Sequence, residues 1–282
     1  MGQDVVRHRP RGEGSPRREG LSAAKAELLE HGWCLVPDVL SPAESADALA
    51  RLWAAAEAYR ARGGDTHIAV LDPNPANVRV FELLDLDPVF RDLIRRPEAL
   101  ALVSALLGPD FMISNFTANI ARPGARSMSL HSDQALVVPE PWLEPWSINI
   151  IWCLTDVSFE NGATLFIPGS QKVTRLAELG PDPKSRLRAF EARAGSIVAM
   201  DGRVWHTSGA NITADQDRAL LFGYYSRSFL RPQVNWNALL SAEVQRSLDP
   251  AFRRLLGLEA AANLAVGAHL LFADLGGHRS GD

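Results

Sequence analysis

The chain has 282 residues, of which 46% are hydrophobic and 22% charged, so it is long and apolar enough to bury one large core and does not have the composition of a disordered protein. Its net charge of −4 and isoelectric point near 6.0 provide no long-range positive field that would attract nucleic acid or an anionic membrane. A diffusible small molecule is therefore the expected partner. The sequence gives no indication of the oligomeric state.

The two chain ends and the two cysteines bear on location. Residues 1–20 are rich in Arg, Pro and Gly without the apolar core of a signal peptide, and are predicted to be a disordered tail. The apolar stretch 260–273 is shorter than the ~20 residues that a membrane span requires. Cys34 and Cys153 lie inside apolar runs, which indicates buried free thiols in a reducing compartment and predicts a cytoplasmic protein.

The first ~110 residues carry the start and stop signals of helices, as judged by caps and breakers. Ser41, Pro42 and Glu44 form the pattern of a capping box, in which Glu44 reaches back to the residue that opens the helix. The predicted helices are 21–30, 42–62, 88–94 and 97–107, with a short strand at 33–36. The polar segment 63–76 is predicted to be an irregular loop, and a lid is one role it could have.

From residue 111 onward, β-rich runs separated by turn residues replace the helical patterns. These runs are 111–120, 127–138, 147–154, 163–167, 195–200 and 219–229. Many short strands at this spacing favour a jelly roll, a double-stranded β-helix with a cupin-like core that can leave a cavity between its two sheets. The prediction is therefore a mainly β fold with flanking helices, in one domain over 21–282 that ends in C-terminal helices from residue 241.

His131 and Asp133 are two residues apart in the predicted strand 127–138, so both side chains should project to one face while Ser132 projects to the other. Two imidazoles and one carboxylate are the ligand set of non-haem iron(II) oxygenases, because the open positions accept cosubstrate and dioxygen. His206, which follows the predicted strand 195–200, is the best third ligand. A His-x-Asp triplet alone also occurs by chance, and such a histidine is then an ordinary surface or core residue.

Arg218 directly precedes the predicted strand 219–229, and if the strand includes it, Leu220, Phe222 and Tyr224 would share its face. A guanidinium in a cavity can grip a dicarboxylate through two parallel hydrogen bonds. The alternative is a surface arginine in a loop.

Several blocks together resemble the phytanoyl-CoA dioxygenase family in order and spacing. They are residues 32–37 (GWCLVP), 131–133 (HSD), 161–170 (NGATLFIPGS) and 206–211 (HTSGAN), followed by Arg218. The similarity extends over nearly all of the chain after the tail. Two positions depart from the family pattern, Ser132 between the ligands and Gln171 after the Pro-Gly-Ser turn.

This resemblance implies that His131, Asp133 and His206 bind Fe(II), and that Arg218, helped by Ser208, holds the distal carboxylate of 2-oxoglutarate. Thr164 is a further candidate for the cosubstrate site. The implied activity is a dioxygenase that uses O2 and 2-oxoglutarate to hydroxylate or desaturate a small organic substrate. An apolar or amphipathic natural product is expected, which would make the protein a tailoring enzyme of secondary metabolism.

Two other functions use the same fold. A zinc-type jelly-roll hydrolase or isomerase would activate water in the same triad without a cosubstrate, and Arg218 argues against it. A non-catalytic binding module would not need the intact ligand set. Residues 161–170 are also interpretable as a structural turn, and Trp205 is the one tryptophan expected near the metal.

Overall fold

The computed structural model describes residues 16–259, so the apolar stretch 260–273 and most of the predicted tail lie outside the described residues. The helices are α1 Pro16–His31, α2 Pro42–Ala61, α3 Leu83–Leu86, α4 Pro88–Leu93, α5 Pro97–Leu107, α6 Trp236–Leu239, α7 Ala242–Ser247 and α8 Pro250–Leu255. The strands are β1 Trp33–Val36, β2 Asn77–Val80, β3 Phe111–Ala121, β4 Ser147–Cys153, β5 Thr164–Phe166, β6 Arg188–Ala189, β7 Ile197–Asp201, β8 His206–Ser208 and β9 Arg218–Arg227. Short 3-10 helices cover Ser170–Lys172, Leu176–Leu179 and Pro183–Arg186.

The strands form two antiparallel sheets. The larger has six strands in the order β1-β7-β4-β9-β3-β2, and the smaller has three in the order β6-β5-β8. In the larger sheet β9 pairs with β3 so that Arg218 lies opposite Ala121 and Tyr224 lies opposite Asn115. The predicted jelly-roll core with flanking helices is thereby confirmed.

The central strand β4 shows why the sequence folds into two layers around this sheet. Alternate side chains point to opposite faces, so Ile151 and Cys153 join the apolar cluster between the sheets, whereas Ile150 and Trp152 join the cluster under the helices. Every residue of β4 is buried, and full burial of each large apolar side chain contributes roughly 1.5–3 kcal/mol. A strand covered on both faces therefore appears in the sequence as a mainly apolar run, here interrupted by Asn149.

The helices cover the outer face of the large sheet. The capping box of α2 is confirmed, because Ser41 Oγ accepts from Glu44 N at 3.2 Å and Glu44 Oε2 accepts from Ser41 N at 2.8 Å. Helix α1 begins at Pro16, five residues earlier than predicted and inside the predicted tail, since proline is well suited to the first turn of a helix. Within residues 16–259, no helix is both long and apolar enough to cross a bilayer.

The predicted strand 127–138 is wrong. His131 makes a single isolated bridge to His206, and residues 133–137 form turns. The turn is held because Ser132 Oγ and Gln134 N both donate to the carbonyl of Gly202, at 2.8 and 2.7 Å. These hydrogen bonds to a distant part of the chain take the place of the backbone pairing that a strand would make.

The short strands β2, β6 and β8 and the helix α3 were not predicted. Strand β2 has four residues and exists through its pairing with β3, where Asn77 lies opposite Ala121. Strand β8 has three residues and pairs with β5. Segments this short carry too little periodicity to be recognised without their partners.

Candidate active site

His131 and His206 are brought together by a backbone bridge. His131 N donates to His206 O at 2.9 Å and His206 N donates to His131 O at 2.8 Å, which sets the two ring centroids 4.4 Å apart. Asp133 Oδ1 lies 3.6 Å from His131 Nε2 and 3.8 Å from His206 Nε2. Within residues 16–259, this is the one group of three such side chains whose ligand atoms lie close enough together for a metal, all within 4.8 Å.

The hydrogen bonds of the two imidazoles leave the correct nitrogens for a metal. Nδ1 of His131 lies 2.9 Å from the carbonyl of Ser129, and Nδ1 of His206 lies 2.9 Å from that of Val204. A carbonyl can only accept, so each Nδ1 carries the proton and each Nε2 presents a lone pair. Burial, together with the neighbouring His206, lowers the pKa of His131 and favours the neutral, ligating form.

The carboxylate of Asp133 is oriented by an amide on the large sheet. Asn149 Nδ2 in β4 donates to Asp133 Oδ2 at 3.1 Å, which leaves Oδ1 as the oxygen that faces the imidazoles. Ser132 is buried and bonded to Gly202, so it points away from the site as predicted, although a turn and not a strand places it there. Nε2 of His131, Nε2 of His206 and Oδ1 of Asp133 therefore converge as three candidate metal-ligand atoms.

The three ligands line a cavity of about 220 Å³ that also contains Arg218, Ser208 and Thr164. The other lining residues are Leu71, Arg79, Phe81, Asn115, Thr117, Asn119, Met128, Leu136, Asn149, Phe222, Tyr224 and Gln233. Leu220, Phe222 and Tyr224 share the face of β9 with Arg218 as predicted. Phe222 and Tyr224 line the cavity, whereas Leu220 is buried in the adjoining apolar cluster.

Arg218 is a buried cation, only 1% exposed, that has no acidic side chain within salt-bridge distance among the residues described. Its Nη2 donates to Asn119 Oδ1 at 3.1 Å and its Nη1 to Asn119 O at 3.4 Å, while its buried Nε has no partner. Burial, with a contribution from the positive charge of Arg79, lowers the pKa of Arg218 to about 10. A buried cation with an unused donor fits an anionic group from outside the chain.

Thr164 and Ser208 lie opposite each other in the β5–β8 pair, and both line the cavity. Ser208 is two residues from His206 on β8, which places both side chains on the same face. Ser208 Oγ accepts from Met128 N at 3.0 Å, so its own proton remains available for a ligand. Both residues therefore line the same cavity as Arg218 and the group His131, Asp133 and His206.

Two cavity asparagines were not predicted. Asn119 holds Arg218 and has a buried Nδ2 without a partner, and Asn149 holds Asp133 and has a buried Oδ1 without a partner. Both interrupt apolar strand runs. A polar residue in a strand buried on both faces needs a hydrogen-bond partner. The two isolated asparagines were therefore the signal in the sequence that could have indicated these positions.

Trp205 was expected near the metal, and this is wrong. Its ring packs against Trp142 with centroids 6.0 Å apart, in an apolar cluster with Ile167, and it does not line the cavity. Consecutive residues entering a strand face opposite sides, so the orientation that points His206 inward points Trp205 away.

The 161–170 block contains a turn on each side of strand β5, and these turns support the site. Gly162 has φ +94°, and a Cβ there would lie 3.1 Å from the carbonyl of Gly209, which directly follows β8. Ser170 Oγ accepts from Trp205 N at 2.9 Å, which anchors the residue preceding His206. The structural interpretation and the family motif are therefore compatible.

Fold and site together define a double-stranded β-helix protein in which two histidines and one carboxylate that could hold a metal share a cavity with a buried arginine. The family described as phytanoyl-CoA dioxygenase (PhyH) matches residues 28–219, and the chain belongs to this family. It is a non-haem iron(II)- and 2-oxoglutarate-dependent dioxygenase, as the sequence predicted.

The similar proteins agree with this assignment. Dioxygenase af480 of Aspergillus fumigatus is 55% identical over 238 residues, 84% of this chain and 77% of that protein. The epimerase SnoN from nogalamycin biosynthesis, solved with Fe3+, α-ketoglutarate and nogalamycin RO, has a TM-score of 0.61 at 21% identity, covering 83% of this chain and 93% of its own. HygX of Streptomyces hygroscopicus, solved with nickel and 2-oxoglutarate, has a TM-score of 0.61 at 17% identity, covering 74% and 88%. These two structures show the shared fold.

Proposed function

We propose that His131, Asp133 and His206 hold the iron(II), that Arg218 binds the distal carboxylate of 2-oxoglutarate, and that the enzyme hydroxylates or desaturates a small product of secondary metabolism. The observation that carries the proposal is the buried, unpaired Arg218 in the cavity of the three ligands. A zinc hydrolase would need no such cation, whereas a dicarboxylate cosubstrate does.

The three ligands suit this metal because they supply two neutral nitrogens and one anionic oxygen from one side. When bound, iron and 2-oxoglutarate together activate dioxygen, and 2-oxoglutarate leaves as succinate and carbon dioxide. The protein's part is to hold three donors in place. Carbonyl bonds fix both imidazoles, and Asn149 fixes the carboxylate of Asp133.

The cosubstrate end of the cavity is formed by Arg218, with Ser208 and Thr164 as further donors. Nε of Arg218 and Nδ2 of Asn119 add two donors that have no partner among residues 16–259. A dianion that accepts from these groups would satisfy donors whose burial is otherwise costly, about 1–3 kcal/mol for each neutral group. We therefore add Asn119 to the cosubstrate site.

A role in secondary metabolism is supported by the similarity to SnoN, an epimerase from nogalamycin biosynthesis. The two free cysteines are both buried in the structure. This supports the proposed cytoplasmic location, because free thiols persist in a reducing compartment.

The test combines metal analysis with a succinate assay. We expect about one iron per chain when one triad binds one ion, and succinate formed from 2-oxoglutarate with Fe(II) and O2 but not with Zn(II). Arg218→Met is the matched variant, since it keeps the ligands and removes the cation. Turnover with zinc that needs no 2-oxoglutarate would contradict the proposal.

A further inference from the structure

The cavity contains lining residues that neither the metal nor 2-oxoglutarate uses. Asn149, Tyr224 and Asn115 form one row across β4, β9 and β3, in direct register. Asn149 bonds the ligand Asp133 at one end of the row, and Asn115 lies two strand spacings away, about 10 Å. Arg218 lies six residues along β9 from Tyr224. Asn115 is therefore level with the metal and well separated from the cosubstrate arginine.

Every charged group that lines the cavity already has a partner or a role. Arg79 is neutralised by Asp72, with Nε to Oδ2 at 2.5 Å and Nη2 to Oδ1 at 3.0 Å, and the Asp72 side chain is 1% exposed. Arg218 faces the cosubstrate, and Asp133 faces the metal. No other Lys, Arg, Asp or Glu within residues 16–259 lines this cavity. With iron(II) and 2-oxoglutarate bound, the charges of the site sum to zero.

The polar groups that remain are neutral amides. Asn115 Nδ2 donates to Gln233 Oε1 at 3.1 Å, which leaves the oxygen of Asn115 as an acceptor and the nitrogen of Gln233 as a donor. Gln233 is held in place because its backbone N donates to Ser114 Oγ at 3.0 Å. An acceptor beside a donor matches a hydroxyl group, which both donates and accepts.

The rest of the outer cavity is apolar and extends to the surface. Phe81 lines it, and Leu71 and Leu136 line it while remaining 41% and 68% exposed. The enclosed volume of about 220 Å³ is below the ~300–1,000 Å³ that encloses a drug-sized ligand. Part of the substrate therefore lies on the rim, against exposed leucines that would otherwise face water.

We propose that the outer cavity binds an uncharged, mainly apolar molecule whose hydroxyl group is held by Asn115 and Gln233, and that it does not take a carboxylate or a coenzyme A thioester. This inference rests on the proposed function, because it assumes that Arg218 is occupied by 2-oxoglutarate. A carboxylate at the outer end would find only the neutralised Arg79 and would be desolvated without compensation.

The test measures binding by calorimetry to the full chain loaded with nickel(II) and 2-oxoglutarate, a combination in which no turnover occurs. The probes are 1-decanol, decanoate and decanoyl-coenzyme A, which share one apolar chain and differ in the polar end. We expect 1-decanol to bind at least tenfold more tightly than either charged probe. Equal or tighter binding of decanoate or decanoyl-coenzyme A, or no binding of 1-decanol, would overturn the inference.

A charge introduced at the rim provides the matched comparison. Leu136→Lys adds an unpaired cation beside the cavity and should improve decanoate binding at least fivefold, whereas Leu143→Lys, at an equally exposed leucine outside the cavity, should leave it unchanged. Asn115→Leu should weaken 1-decanol binding about tenfold, the loss of about one hydrogen bond. An unchanged preference in Leu136→Lys would contradict the placement of the substrate.

Binding of 2-oxoglutarate to the nickel protein is measured first on the same samples. If 2-oxoglutarate binds and the three probes bind with equal affinity, the substrate inference alone fails. If it does not bind, the proposed function fails, and this inference with it.

Discussion

The amide of Asn149 should control how tightly the iron is held without being a ligand. Asn149 Nδ2 donates to Asp133 Oδ2 at 3.1 Å, and the partner carboxylate is only 17% exposed at its side chain. Asn149→Leu keeps the approximate volume and removes this donor, so Oδ2 loses its partner and the carboxylate is free to rotate. Loss of a group that orients a metal ligand typically weakens metal binding about 10- to 100-fold.

The fold itself should tolerate this change. Asn149 Oδ1 is buried without a partner, and replacing it by a methyl group removes that unsatisfied acceptor. The lost hydrogen bond to a charged group, about 1.5–3 kcal/mol, is therefore offset in part by the relief of a desolvation cost of about 1–3 kcal/mol. We expect the melting temperature of the metal-free variant to stay within a few degrees of the parent, roughly the effect of 1 kcal/mol in a chain of this size.

The chain offers a matched control in Asn119, the other buried cavity asparagine, which bonds Arg218 and no metal ligand. Asn119→Leu should weaken 2-oxoglutarate binding and leave iron affinity unchanged, whereas Asn149→Leu should do the reverse. The assay is competition for Fe(II) against a chelator under anaerobic conditions, followed by 2-oxoglutarate titration of the loaded protein. Parental iron affinity in Asn149→Leu, or the same profile in both variants, would refute the assigned roles.

Four further predictions follow from the same geometry. His131→Ala, Asp133→Ala and His206→Ala should each abolish iron-dependent turnover, and parental activity in any of them would remove that residue from the site. Arg218→Met should raise the 2-oxoglutarate concentration needed for half-maximal turnover about 100-fold, in line with the loss of one partner of a buried charge pair. The iron content should stay unchanged. If the concentration needed does not change, another cation binds the cosubstrate. Burial raises the pKa of Cys34 and Cys153 to about 12, so the thiolates are unpopulated at pH 8. Iodoacetamide should therefore label both cysteines only after unfolding. Labelling of the native protein, measured by mass spectrometry, would contradict their burial. Because Asp133 supplies an anionic oxygen where chloride would otherwise bind, the enzyme should add oxygen or remove two hydrogens and should not halogenate, even in excess chloride or bromide; a halogenated main product would show that Asp133 is displaced.

The parts of the fold that the sequence predicted are those with local causes. The capping box at Ser41 and Glu44 and the helix Pro97–Leu107 depend on neighbouring residues, and the structure confirms them. Strand β4 was recognisable because both of its faces are buried, so its residues are mainly apolar. Strands β2 and β8 exist only through distant partners, β3 and β5, and a pattern of three or four residues does not encode that pairing.

The proposed metal site shows that side chains can converge as predicted although the predicted local structure is wrong. The two-residue spacing of His131 and Asp133 was interpreted as a strand, in which both side chains share a face. In the structure the segment turns after His131, and the carbonyl of Gly202, which binds both Ser132 and Gln134, holds that turn. Gly202 directly follows β7, which pairs with β4 in the large sheet. The turn therefore lies beside β4, where Asn149 donates a hydrogen bond to Asp133 and orients its carboxylate toward the imidazoles. Only the contacts between distant segments explain this convergence.

The same reasoning accounts for the residues that sequence analysis missed. Asn119 and Asn149 appear in the sequence as isolated polar interruptions of apolar strands, and their partners, Arg218 and Asp133, are 99 and 16 residues away. A buried amide is costly unless something bonds it, so each interruption marks a position where the fold brings a functional group. Each asparagine also has one buried polar atom without a partner among residues 16–259. The two amides therefore connect the rigid sheet to the two halves of the site, one to the metal ligands and one to the cosubstrate arginine, and separate substitutions should uncouple the two functions.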